Sequence, residues 1–172
     1  MTMIGSDKSW KTSIGPIASA ELCDGEIYDA SLEVPGWSSP SLRDEGWSSV
    51  EEIDFPIAKL QAPEGPPVRK VETAKVKSVF KSPAGRIVVD FGQNLVGRLS
   101  VHVSGPAGHK IVFTHTEVLE HGEIAFRPLR DCKAMDSLAL AGKPITWEPK
   151  FTFHGFRYVQ VDNWPSKAEN QP

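Results

Sequence analysis

The chain has little net charge and no long apolar run, and these two absences exclude several classes of protein. Its 19 basic and 22 acidic residues give a formal net charge of -3, so no basic field is available to hold a phosphate backbone, and nucleic acid is not an expected partner. No apolar stretch approaches the roughly 20 residues that span a bilayer, so no membrane partner is expected. The first residues lack a basic segment followed by an apolar one, which predicts a cytoplasmic chain, with a trimmed piece of a secreted protein as the alternative.

Recognisable metal and cofactor motifs are also absent. Cys23 and Cys132 are far apart in the sequence and match no CxxC spacing. We expect them to be free thiols, with a disulfide as the alternative. No HxxxH or DxDxD pattern supplies a set of metal ligands, so we expect neither a metal nor a cofactor.

No segment sustains a period of 3.6 residues over three helical turns, and no internal repeat appears. Short alternating or apolar runs lie between turn residues instead, which is typical of strands. The turn at 105–108 predicts that the runs before and after it form a hairpin or meander pair. The predicted strands are 26–33, 68–80, 86–91, 99–103, 110–117, 136–142 and 156–161.

Many short strands with closely spaced turns predict an all-β fold. We expect one antiparallel β-sandwich of jelly-roll type over residues 1–165, with a loop-rich N-terminal third and a frayed polar tail at 166–172. Within the N-terminal third, the segment 41–45 has the capping residues of a short helical turn. A chain of 172 residues is long enough to bury a stable core without disulfide or metal cross-links.

Several motifs, in this order along the chain, resemble the α-L-rhamnosidases, specifically the β-sandwich that precedes their (α/α)6 catalytic barrel. The stretch DFGQNLVG at 90–97 is the most distinctive of them. The others are GPAG at 105–108, HTEVL at 115–119, matching positions Arg130, Lys133, Ala134 and Asp136, WEPKFTFHGFRYV at 147–159, and the segments from Trp10 to Ile17 and from Asp24 to Ala30.

The resemblance implies what this stretch of chain does and does not contain. In the family, the carboxylates that protonate the leaving group and activate water lie in the barrel, which would follow Pro165. Glycoside hydrolysis needs two opposed carboxyl groups, and no such pair is recognisable here. We therefore do not expect an autonomous glycosidase. The calcium-binding, rhamnose-binding module of some members would lie mostly before Trp10.

His115 and Glu117 are two residues apart in a predicted strand, so we expect them on the same side of it. They could act as a base and the group that orients it. The alternative is a hydrogen-bonded polar pair near the sheet edge.

Two further pairs of polar residues belong to the family-like stretches. Asp90 and Arg157 lie among apolar neighbours, which favours a structural ion pair over a ligand role. Gln93 and Asn94 lie beside glycines, where their amides could close a turn or bind sugar hydroxyls.

A third set of candidates consists of aromatic and basic residues in loops. Arg127 and Arg130 are predicted to be exposed beside Phe126, where they could bind an acidic sugar or simply face solvent. Trp37 and Trp47, flanked by glycine and serine, are candidates for exposed platforms that stack on a sugar ring.

These candidates support three hypotheses about function. The first is a non-catalytic carbohydrate-binding or accessory domain, for which the resemblance implies rhamnose-containing glycans. The alternative is a recruited enzyme, in which an aromatic-lined pocket containing His115 binds a small metabolite and assists proton transfer or cyclisation. The third is a homodimer that covers an exposed apolar face.

Overall fold

The computed structural model describes residues 5–56 and 60–165. Regular structure in these residues is β-strand, apart from 3-10 turns at Ala30–Leu32 and Arg127–Leu129, which confirms the all-β prediction. No helix in the described ranges is both long and apolar enough to cross a membrane. The strands, in chain order, are β1 (Lys11–Thr12), β2 (Ile17–Glu21), β3 (Gly25–Asp29), β4 (Ser48–Ser49), β5 (Ser78–Lys81), β6 (Ile87–Gly97), β7 (Val101–Val103), β8 (Lys110–Thr116), β9 (Leu119–Glu120), β10 (Glu123–Ile124), β11 (Met135–Ala139), β12 (Ile145–Trp147) and β13 (His154–Asp162).

Backbone contacts divide the chain into two units. The smaller unit contains the described residues up to Gly15 and from Val34 to Val71. It is mostly turns, with one short antiparallel pair, β1 with β4. The larger unit contains Pro16–Glu33 and the described residues from Glu72 onward. The tail predicted at 166–172 lies outside the described residues, and a single domain over 1–165 stays a proposal.

A seven-stranded sheet is the centre of the larger unit. Its strand order is β2-β3-β11-β8-β13-β6-β5. Every neighbouring pair is antiparallel except β3 with β11, which is parallel. The longest strands, β6, β8 and β13, lie side by side and carry the apolar runs that are visible in the sequence.

The core lies on one face of this sheet, here called the inner face. Side chains of directly paired residues share a face, so Phe113, Leu138 and Val161 point to the same side as their partners. The pair β7–β12 brings Val103 and Trp147 into the same apolar core. The two layers enclose an apolar interior, as expected for a β-sandwich.

Three local predictions are wrong. The run 99–103 does not pair with 110–117: β7 pairs with β12, and β8 pairs with β11 and β13. The predicted strand at 68–80 is reduced to Ser78–Lys81, because β-branched residues form a strand only against a partner strand. The segment 41–45 contains isolated turns and no helical turn.

The strand predicted at 156–161 lies within β13, but its side chains do not alternate regularly between the two faces, because the pairing of β6 and β13 is irregular. Phe156 pairs with Leu95, but Tyr158 pairs with Asp90. Four residues of β6 therefore lie opposite Arg157 alone, as in a large β-bulge. Phe156 and Val159 are three residues apart, so regular alternation would place them on opposite faces of the sheet. Because of the bulge, both side chains instead lie in the core.

Cys23 and Cys132 form a disulfide whose Cα atoms are 4.9 Å apart, so the free-thiol prediction is wrong. The bond joins the segments that lead into β3 and β11. Backbone hydrogen bonds from Ala134 N to the Cys23 carbonyl and from Met135 N to the Asp24 carbonyl hold the same two segments together. The pairing is long-range, with a sequence separation of 109 between the cysteines, and no local spacing predicts it.

Candidate functional site

A group of buried polar residues lies at one end of the inner face. His115, Asp136 and His154 come from β8, β11 and β13, and their side chains are at most 4% exposed. Glu26 of β3 is fully buried beside them. We call these four residues the buried cluster.

The carboxylate of Asp136 is the centre of the buried cluster. Its Oδ1 accepts hydrogen bonds from the backbone N–H of Glu26 at 2.8 Å and from His154 Nε2 at 3.2 Å. Gly25 allows this close approach, because it has φ of +109° and a Cβ there would lie 2.2 Å from the Met135 carbonyl oxygen. Only glycine fits this position without strain.

The His115 ring is fixed from several sides. Its Nδ1 lies 3.0 Å from the Ala134 carbonyl oxygen, and its Nε2 lies 3.8 Å from Asp136 Oδ2. The ring stacks on His154 with centroids 4.3 Å apart and meets Phe156 edge-on at 4.8 Å. Burial, together with the neighbouring His154, lowers the pKa of His115 from its ordinary value of 6.5 to about 4, although Asp136 and the Ala134 carbonyl act in the opposite direction.

Glu26 uses one carboxylate oxygen to hold a turn. Its Oε2 accepts hydrogen bonds from the backbone N–H groups of Lys150 and Phe151, inside the family-like stretch 147–159. Its Oε1 is buried without a hydrogen-bond partner among the described residues, as are His115 Nε2 and Asp136 Oδ2.

The structure separates His115 from Glu117. β8 ends at Thr116, and Glu117 is exposed. Its Oε1 accepts a hydrogen bond from Asn94 Nδ2 at 3.0 Å. The hypothesis that Glu117 orients His115 as a base therefore has no contact between the two side chains to support it.

Glu117 instead belongs to an exposed surface. The N–H of Ala125 donates to the Val118 carbonyl, which places Phe126 across the β9–β10 hairpin from Glu117. The Phe126 side chain is 60% exposed, and Arg127 donates to Glu120 on the same hairpin. We call Asn94, Glu117, Phe126 and Arg127 the Glu117 surface.

The β6 bulge supports this surface. Gln93 and Asn94 lie in β6 and are exposed, so they do not close a turn between strands. Asp90, just before the bulge, binds Arg157 through two hydrogen bonds of 2.9 and 3.1 Å and accepts a third from the Gly92 N–H. The hydrogen bond from Arg157 holds the pKa of Asp90 below its ordinary value.

The other predicted ligand residues are placed as follows. Arg130 is exposed and ends the 3-10 turn with φ of +53°. Trp37 is 65% exposed, and Trp47 is half-buried after a turn. Both tryptophans belong to the smaller unit.

A groove of about 140 Å³ lies on the outer face of the sheet. Neither His115 nor Glu117 lines it, so it does not provide the pocket that the recruited-enzyme hypothesis requires. It is lined by Ser19, Asp24, Gly25, Ile27, Lys110, Val112, Lys133, Met135 and Ser137.

Sequence reasoning missed three members of the buried cluster: Glu26, Asp136 and His154. Asp136 lies 110 residues from Glu26 and 18 from His154 in sequence, so no short motif connects them. All three fall within or beside the family-like stretches, which is the one signal that pointed to them.

The sandwich architecture agrees with family-level comparisons. Residues 80–172 match the family model described as the bacterial α-L-rhamnosidase concanavalin-like domain. Residues 1–72 match the α-L-rhamnosidase N-terminal domain. The C-terminal part of the chain is thus a β-sandwich of the concanavalin-like class, and the part before it corresponds to the N-terminal domain of the same family. It belongs to the α-L-rhamnosidase family.

Curated relatives and solved structures agree with this assignment. An α-L-rhamnosidase of Streptomyces avermitilis is 41% identical over 95% of this chain and 16% of that protein. The crystal structure of an Aspergillus terreus α-L-rhamnosidase matches with a TM-score of 0.91 and 53% identity, over 98% of this chain and 20% of the other. The Streptomyces avermitilis enzyme complexed with L-rhamnose matches with a TM-score of 0.85 and 40% identity, over 95% of this chain and 16% of the other. The chain therefore spans less than a fifth of the curated relatives it matches.

Proposed function

We propose that this chain is a carbohydrate-binding accessory domain of the α-L-rhamnosidase family and that it binds rhamnose-containing glycans at the Glu117 surface. The observation that carries the proposal is the hydrogen bond between Asn94 and Glu117 beside an exposed aromatic ring, Phe126. An aromatic face next to amide and carboxylate groups suits a sugar ring, which presents apolar C–H groups and hydroxyls together.

The choice of ligand comes from the family. A related α-L-rhamnosidase of Streptomyces avermitilis has been crystallised with L-rhamnose, so this sugar is the first ligand to test. L-rhamnose is uncharged, so Arg127 would act as a hydrogen-bond donor.

The backbone around the β6 bulge supports a preorganised surface. Asp90 holds both Arg157 and the Gly92 N–H, which fixes the chain two residues before Asn94. A fixed surface binds better than a mobile one because less conformational freedom is lost on binding. We infer a structural role for Asp90 and Arg157 on this ground.

Isothermal titration calorimetry of the purified chain with L-rhamnose and methyl α-L-rhamnoside tests the proposal. We expect saturable binding that weakens about 5- to 10-fold in Phe126→Ala, which loses a stacking contact. Asn94→Ala is expected to weaken binding by a similar factor through a lost hydrogen bond.

Trp37→Ala is the matched control, because it removes an exposed aromatic side chain from the smaller unit. It should leave the affinity unchanged. Loss of binding in Trp37→Ala with unchanged affinity in Phe126→Ala would move the sugar site to the smaller unit. The absence of saturable heat with the unmodified chain would contradict sugar binding. The chain would then be an accessory domain without a sugar site.

We also propose that the isolated chain forms a homodimer through exposed apolar side chains of the larger unit. Val96 and Phe151 are 74% and 67% exposed, and apolar side chains left in water favour association. Multi-angle light scattering should give twice the mass of the 18.9 kDa chain. A monomer at all concentrations would refute it.

A further inference from the structure

Two buried acceptor atoms face each other in the buried cluster without a donor between them. A carbonyl oxygen only accepts hydrogen bonds, so His115 Nδ1, at 3.0 Å from the Ala134 oxygen, carries a proton. In the neutral ring, Nε2 therefore presents a lone pair to Asp136 Oδ2.

The distance between those two atoms decides how they can interact. His115 Nε2 and Asp136 Oδ2 are 3.8 Å apart, which is too long for a hydrogen bond. Neither atom has a hydrogen-bond partner among the described residues. Burying unmatched acceptors is unfavourable, and native structures contain few of them.

The same spacing suits two ligands of one metal ion. Ligands bound tetrahedrally to zinc at about 2.0–2.2 Å lie roughly 3.3–3.6 Å from each other. The His115–Asp136 separation of 3.8 Å and the His154 Nε2–Asp136 Oδ1 separation of 3.2 Å both lie within about 0.2 Å of this range. One ligand atom from each of the three residues lies within 4.8 Å of the others, so the widest pair must close by at most about 1.2 Å.

We propose that His115, Asp136 and His154 form a binding site for a divalent transition-metal ion of the zinc type. Two imidazoles and one carboxylate are ligands that zinc accepts, whereas calcium and magnesium prefer oxygen ligands alone. In the metal-free chain His154 donates from Nε2 to Asp136, so this proton must move to Nδ1 before Nε2 can bind the metal as a neutral imidazole.

The surroundings of the three residues have the features of a supporting shell. The Ala134 carbonyl orients the His115 ring, and the Glu26 N–H holds the Asp136 carboxylate. Outer contacts of this type fix the ring tautomer and the direction of the ligands in metal sites. The ion would join β8, β11 and β13, three adjacent strands. Because the three side chains are at most 4% exposed, the role is structural cross-linking.

The test is metal loading during refolding, because the cluster is closed in the folded chain. The chain is unfolded in denaturant with a chelator, freed of both, and refolded with or without equimolar zinc. Bound metal is measured by elemental mass spectrometry and the thermal midpoint by calorimetry. We expect one zinc ion per chain and a higher midpoint in the zinc-loaded sample.

Asp136→Asn separates metal binding from folding. The asparagine oxygen still accepts from Glu26 N–H and His154, while its Nδ2 replaces an acceptor facing the His115 Nε2 lone pair with an N–H donor. The variant should therefore fold and bind no zinc, and its thermal midpoint should not change when zinc is added. His102→Gln is the matched control, since His102 is an exposed histidine that contacts Thr146, and it should bind zinc as the unmodified chain does.

Cobalt substitution gives a second measurement that does not depend on any variant. Cobalt refolded into the unmodified chain should produce visible absorption bands of a site with nitrogen and oxygen ligands. An unmodified chain that refolds metal-free beside equimolar zinc and cobalt would overturn the proposal. Zinc binding by Asp136→Asn equal to that of the unmodified chain would overturn it as well.

Discussion

His115 and Glu117 are separated by one residue in sequence, yet they belong to two very different regions of the molecule. His115 is completely buried in a cluster whose other members come from β3, β11 and β13. Glu117 is exposed and bonded to Asn94 on the β6 bulge. The end of β8 at Thr116 divides the two environments. Polar residues close together in sequence thus have separate tasks: the inner ones hold strands together, and we propose that the outer ones meet a ligand.

The largest effect is expected at the glycine that lets β3 approach Asp136. Gly25→Ala places a Cβ 2.2 Å from the Met135 carbonyl oxygen at φ of +109°. We expect a loss of about 5 kcal/mol or more, or failure to fold, from strain and overlap together. Gly85→Ala is the control, with φ of +79° and nothing within 4 Å of the added Cβ, and should lose about 1 kcal/mol. Urea unfolding measures both, and equal losses would show that close packing at Gly25 is unimportant.

Removing the central carboxylate should have the next largest effect. Asp136→Ala leaves the Glu26 N–H and His154 without their acceptor, and we expect a loss of about 3–5 kcal/mol in the free energy of unfolding. Asp136→Asn keeps these contacts and should lose much less. Similar losses in the two variants, measured by urea unfolding in the presence of chelator, would contradict the hydrogen-bond account of the buried cluster.

The metal-free chain should lose stability in mildly acidic solution. The unfolded chain binds a proton at His115 near the ordinary pKa of about 6.5, but burial keeps the folded value at about 4. The unfolded state therefore binds more protons between these values, and stability falls as pH is lowered through this window, by roughly 3 kcal/mol in total.

Urea unfolding from pH 7.5 to 4 in chelator measures this slope. His109→Gln is the control, because His109 is not buried and its ring contacts the backbone carbonyl of the exposed Asn163, and it should keep the slope. A flat profile for the unmodified chain across this range would contradict burial of a neutral His115.

The smallest effect on stability is expected for a substitution at Glu117, in the exposed Glu117 surface. Glu117→Gln keeps a carbonyl oxygen that can accept from Asn94, and the site is exposed. We expect a change below about 0.5 kcal/mol. A loss of several kcal/mol, measured by urea unfolding, would mean that the Glu117 surface is part of the core.

The sequence predicts the β-architecture well where a strand carries its own pattern. The alternation in β8 and the apolar start of β6 each identify a strand, because burial of one or both faces imposes a pattern on consecutive residues. The family-like motif at 90–97 falls on the bulge of β6, and the resemblance was right about the family.

Features that depend on distant partners could not be predicted. The bulge at Arg157 reverses the face of half of β13, and no local pattern encodes the insertion. The disulfide joins cysteines 109 residues apart. The buried cluster draws four residues from four strands, so its polar members appear in the sequence as isolated residues among apolar neighbours.

Nuclear magnetic resonance titration of the isotope-labelled chain with L-rhamnose is the most direct test of the division between the two regions. We predict saturable shifts in the amide signals of Asn94, Glu117 and Phe126, with the signals of His115, Asp136 and His154 unchanged. Shifts confined to the smaller unit around Trp37, or no shifts at all, would contradict the assignment of ligand binding to the Glu117 surface.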